Sequence, residues 1–94
     1  MENEDLIPAN DFCHYHNIEY SFIHSLNDSG LITVTSVEHS TYIPLTEMEK
    51  LEKFVRLHYD LDINLEGIET INYLLEKIER MQHELLQLKN SYEL

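Results

Sequence analysis

No lysine or arginine occurs before Lys50, so the first half of this 94-residue chain has no permanent positive charge. The same stretch carries Glu2, Glu4, Asp5, Asp11, Glu19, Asp28, Glu38, Glu47 and Glu49, and the whole chain has 18 acidic against 6 basic side chains, a net charge of −12. Such a surface repels phosphate and anionic lipid and attracts basic partners. There is one cysteine, Cys13, so no internal disulfide can form, which fits a reducing compartment. With two glycines the chain has no material for a phosphate-cradling loop, and it contains neither a nucleophile elbow nor a His-Glu zinc motif. Exposed carboxylates without an enclosing pocket give no tuned acid–base pair, so no enzyme is expected. No apolar run approaches the roughly 20 residues that span a bilayer. The acidic start Met1-Glu2-Asn3-Glu4-Asp5 is unlike a secretory leader, and a soluble, cytoplasmic protein is expected.

What is present is a helical pattern. Pro8 suits a first helical turn, and Ala9 to His16 form a short helix with Phe12 and Cys13 inward. Asn17 can take the left-handed conformation that ends it. A second helix over Tyr20 to Asp28 turns Ile23 and Leu26 to the core and stops at Gly30. Two short helices about a tight turn make a helix-turn-helix. The β-branched run Ile32 to Val37, the turn Glu38-His39-Ser40 and then Thr41-Tyr42-Ile43 before Pro44 predict a small hairpin, a wing. Thr46-Glu47-Met48-Glu49 reads as a capping box opening a third helix to about Tyr59, with an apolar stripe of Met48, Leu51, Phe54, Val55 and His58. A turn over Asp60 to Asn64 follows, with Asn64 as the cap of the last helix, Leu65 to Tyr92.

In that last helix Ile71, Leu74, Ile78, Met81, Leu85, Leu88 and Tyr92 alternate in steps of three and four, which is three heptads with apolar a and d positions. The stripe runs further than a small core can reach, and no later helix is present to cover it. A homodimer paired through Ile71, Leu74, Ile78, Met81, Leu85 and Leu88 is expected. Lys77, Glu84 and Lys89 fit parallel and antiparallel pairing alike. The chain thus divides into an acidic winged helix-turn-helix, residues 1–62, and a dimerising coiled-coil helix, residues 63–94, in a mainly α fold.

The order of elements, and the stretch Ile18 to Ile32 ending Asp28-Ser29-Gly30-Leu31-Ile32, resembles the winged helix-turn-helix of the MerR family. That resemblance implies DNA-contacting arginines at the positions of Ser21 and His24 and an aromatic at Ser25, none of which this chain has. The chaperone-modulator (CbpM-type) branch is a nearer match through Leu6-Ile7-Pro8, Asp11-Phe12-Cys13, Ser21 to Leu26, Gly30-Leu31-Ile32 and, most specifically, Val55 to Ile68. It implies a dimer that binds the J-domain of a DnaJ-like, CbpA-type co-chaperone and inhibits its action with DnaK.

Residue chemistry points the same way. J-domains present a basic helix, and exposed positions of the first two helices offer Asp11, Glu19 and Asp28 as anions, Tyr15 and Tyr20 as aromatic anchors, and His24 between them. The competing reading, a DNA-binding MerR-type transcriptional regulator, lacks its cations: a typical reader makes on the order of 6–10 phosphate contacts, and only the third helix could supply two or three. A metal sensor built on Cys13-His14-Tyr15-His16 is disfavoured because residues two apart on a helix diverge. No metal or other cofactor is expected.

Overall fold

A computed structural model describes residues 5–92. Residues 1–4, at the acidic start, and residues 93–94, at the end of the predicted coiled-coil segment, lie outside the described residues. The order is β1 (Leu6–Pro8), α1 (Ala9–His16), α2 (Tyr20–Asp28), β2 (Thr35–Val37), β3 (Ser40–Pro44), α3 (Met48–Val55) and α4 (Leu65–Tyr92). A 3-10 turn, Leu45–Glu47, leads into α3, and a π turn, Arg56–Asp60, leads out of it.

The helix-turn-helix forms as the sequence predicts. Asn17 ends α1 at φ 56° with its N–H on the carbonyl of His14, and the N–H of Ile18 reaches the carbonyl of Cys13. Gly30, at φ 81°, ends α2 in the left-handed region, and the N–H of Leu31 then returns to the carbonyl of Leu26 at 2.9 Å. The chain between α2 and β2 is held by two side chains: Asn27 Oδ1 accepts the N–H of Val34 and Glu47 Oε1 that of Thr33. Here the structure departs from the capping-box reading. Glu47 reaches back to Thr33, α3 has no side-chain cap, and the 3-10 turn takes the place that Thr46 was expected to cap.

The wing is larger than a hairpin. β2 and β3 pair from Thr35↔Tyr42 to Val37↔Ser40 about the two-residue turn Glu38-His39, both residues at positive φ as a type I′ turn requires. β1 adds on the other side of β3, with Ile7 opposite Ile43, giving a three-stranded antiparallel sheet in the order β1-β3-β2. Pro8 accordingly closes this strand as the residue before α1 rather than entering the helix. Ile32, expected to start the hairpin, is instead buried in the core.

The core is apolar throughout: Phe12, Phe22, Ile23, Leu26, Leu31, Ile32, Ile43, Leu51, Phe54 and Ile68 are buried together with Ala9 and Cys13, and among the described residues no polar or charged side chain is buried. Ile68 is the one residue of α4 that is fully covered. The third helix was expected to run to about Tyr59; α3 instead ends at Val55, and a π turn over Arg56–Asp60 takes its last turn ahead of the expected turn into α4. The π turn brings the N–H of Leu61 to the carbonyl of Arg56, and His58 Nδ1 donates to the carbonyl of Ile63 at 2.8 Å. Asn64 then caps α4 as expected, its Oδ1 accepting the N–H of Gly67 at 2.8 Å. A Cβ on Gly67 would stand 2.6 Å from Ile63 Cγ2, so this turn admits only glycine without rearrangement. Asn64→Ala should lower stability by about 1 kcal/mol in a denaturant titration, the cost of one lost N-cap; an unchanged midpoint would mean that the cap is dispensable.

Candidate functional site

The six residues singled out for partner binding do not form one patch. His24 and Asp28 lie one turn apart on the exposed face of α2, where His24 Nε2 meets Asp28 Oδ2 at 3.2 Å. Ser21 shares that exposed surface, and no lysine or arginine occurs in α2 or in the wing. This is the face that a helix-turn-helix would turn toward a major groove.

Tyr20 is tied elsewhere. Its hydroxyl shares a 2.9 Å hydrogen bond with the hydroxyl of Thr41, at a cleft of about 340 Å³ between the helix-turn-helix and the wing. Glu19 lies on a third surface. Its backbone N–H donates to the Tyr59 hydroxyl at 3.0 Å, and the residue lines a recess of about 250 Å³ with Ser21, Ser25, His58 and Leu65. Aromatic packing builds this recess: the His58 ring stacks on Phe22 at 4.6 Å, and Tyr59 meets Phe22 edge-on at 5.5 Å. Sequence reasoning gave His58 to a helical core stripe and missed Tyr59, because the π turn that presents both rings to α2 leaves no periodic signature.

Asp11 and Tyr15 do come together. They sit one helical turn apart on α1 and line a groove of about 320 Å³ between β1, α1 and α3, with Ile7, Phe12, His16, Met48 and Glu52. Phe12 is its buried floor. Tyr15 is 83% exposed, yet its ring is braced edge-on against His16 at 4.9 Å, and His16 in turn lies over Phe12 at 4.1 Å. Glu52 and Ile7 were not anticipated. The spacing of Met48 and Glu52, four apart on α3, was the available signal.

Cys13 is buried at the back of α1, and burial, with a smaller push from the Glu19 carboxylate, raises its thiol pKa above the ordinary value. It behaves as a small core hydrophobe. Among the described residues no group of three or more His, Cys, Asp or Glu side chains is placed to hold a metal ion. No helix among them is long and apolar enough to cross a membrane.

Along α4 the whole predicted seam beyond Ile71 is uncovered: Leu74, Ile78, Met81, Leu85 and Leu88 are each about half exposed or more. Two helices about a left-handed turn, a three-stranded wing and a long trailing helix with an apolar stripe define a winged helix-turn-helix fold. The model of the MerR HTH family of regulatory proteins matches residues 7–90, and the chain belongs to that family. No curated protein and no solved structure matches the chain.

Proposed function

We propose that this protein regulates by capturing a basic protein surface, the J-domain of a DnaJ-like co-chaperone of the CbpA type, and so restrains its action with DnaK. The observation that carries this reading is the absence of any lysine or arginine across residues 1–49, which include α1, α2 and the wing. A duplex reader draws most of its affinity from cations on phosphate, and the side chain available on the exposed face of α2 for such contact, His24, is engaged by Asp28. The same charge distribution favours encounter with a basic helix. The resemblance of Val55 to Ile68 to the chaperone-modulator branch supports the particular partner. The working form in this reading is a homodimer in the cytoplasm, residues 63–94 pairing two chains through Ile71, Leu74, Ile78, Met81, Leu85 and Leu88 and residues 1–62 binding the partner.

Titration of the full chain with a purified J-domain and, separately, with a DNA duplex tests this reading. The expected result is J-domain binding that weakens as salt rises, because the encounter is electrostatic, and negligible duplex binding. Reversal of Asp11, Glu19 and Asp28 to lysine is expected to weaken J-domain binding about tenfold or more and to flatten its salt dependence. Tight duplex binding without J-domain binding would instead establish a DNA-binding regulator.

A further inference from the structure

The groove between α1 and α3 combines an apolar floor with acidic walls, which carry one carboxylate each, Asp11 on α1 and Glu52 on α3. None of its lining residues is a lysine or arginine, and Ile7, Phe12 and Met48 leave a trough that the chain's own side chains do not fill. From one wall Tyr15 projects an aromatic ring that is exposed but held in place by its neighbours, which lowers the ordering cost of using it as an anchor.

We infer that this groove, rather than the exposed face of α2, is the docking site for one helix of the partner: an amphipathic helix whose apolar stripe enters the trough and whose lysines or arginines flank it on both sides. The inference rests on the protein-binding reading above and assigns it a place. An apolar floor supplies affinity through burial, while the carboxylates on opposite walls fix the orientation of a helix with cations on either side of its stripe. An added β-strand suits the site poorly, because β1 is three residues long and ends at Pro8, which has no N–H to donate. A second copy of this chain suits it poorly as well: the long amphipathic helix it could offer, α4, carries Glu66, Glu69, Glu76, Glu79 and Glu84 against Lys77, Arg80 and Lys89, a net negative charge facing carboxylate walls.

The test is an NMR titration of the isotopically labelled full chain with a synthetic helix that has leucines at i, i+3, i+4 spacing flanked by lysines. Amide shifts should concentrate at Ile7, Asp11, Tyr15, Met48 and Glu52, and the counterpart peptide with glutamates for lysines should leave them unmoved. The D11K/E52K variant should bind the basic peptide about tenfold more weakly, because each reversal turns an attraction into a repulsion. Tyr15→Ala, which changes no charge and removes no buried group, should weaken it several-fold. The inference is overturned if the shifts fall on the α4 stripe or on His24 and Asp28, or if D11K/E52K, shown to be folded by its spectrum, binds as the parent does. A J-domain titration then separates the two levels. J-domain binding abolished by reversal of Glu19 and Asp28 but indifferent to D11K/E52K leaves the functional reading standing and removes the groove. A groove that takes the peptide while no J-domain binds removes the chaperone partner and keeps the site.

Discussion

Phe54→Ala is expected to lower the unfolding free energy by about 3–5 kcal/mol, the range for truncating a buried aromatic. Phe54 is fully buried, on α3, among side chains from the helix-turn-helix, β3 and the start of α4. Natural domains are stable by about 5–15 kcal/mol, so one such cavity removes a large part of the total. The loss is not easily absorbed here. Among the described residues the buried set is wholly apolar and Ile68 is all that α4 adds to it, so few neighbours can move in to fill the space. Urea denaturation followed by circular dichroism at fixed protein concentration would read the change as a shift in midpoint at nearly constant slope. An unshifted midpoint would mean that α3 does not hold the head together.

The second large effect is expected on assembly. Charged residues at Ile78 and Leu85, as in the I78E/L85E variant, should convert a dimer to a monomer in sedimentation or light scattering. Both side chains are exposed in the single chain, Ile78 at 49% and Leu85 at 66%, so the substitutions remove nothing from the core of one chain. In a paired helix they would bury carboxylates in an apolar seam, where an uncompensated charge is costly. The distal part of α4 should lose helical signal as well, because an isolated helix of ordinary composition is only marginally stable in water. A dimer that survives the double substitution would place the interface on another surface.

How far these features could be read from residues alone depends on the range of the interactions that make them. α1, α2 and α4 carry their own stop and start signals in Asn17, Gly30 and Asn64, and the structure places each signal where it was read. Apolar spacing along α1, α2 and α3 also identified Phe12, Ile23, Leu26, Leu51 and Phe54 as core. β1 was missed because three residues have no period and their pairing with Pro44, Ile43 and Tyr42 is made across the whole helix-turn-helix. The capping box failed for a similar reason. The box needs Thr46 at the N-cap and Glu49 three residues on, but a 3-10 turn moves the cap position to Glu47, whose carboxylate is engaged by the distant N–H of Thr33. Of the candidate site, the charge asymmetry was fully legible, while the groove was only half so. Asp11 and Tyr15 were named, but the second wall belongs to α3, and its approach to α1 is a property of the fold.

The elbow between α3 and α4 has a mechanical consequence. The π turn, the His58 link to the Ile63 carbonyl and the Asn64 cap leave little slack between the head and the first turn of α4, and Ile68 pins that turn into the core. The 28 residues of α4 extend about 42 Å at 1.5 Å per residue, so a tilt of roughly 5° at the head carries the far tip through about 4 Å. That is a large part of the roughly 5–6 Å between neighbouring side chains on one helix face. The head and the stripe are thus the two ends of a lever, and a small rocking of α3 by anything seated against it would be felt as a sideways swing of the distant end of α4.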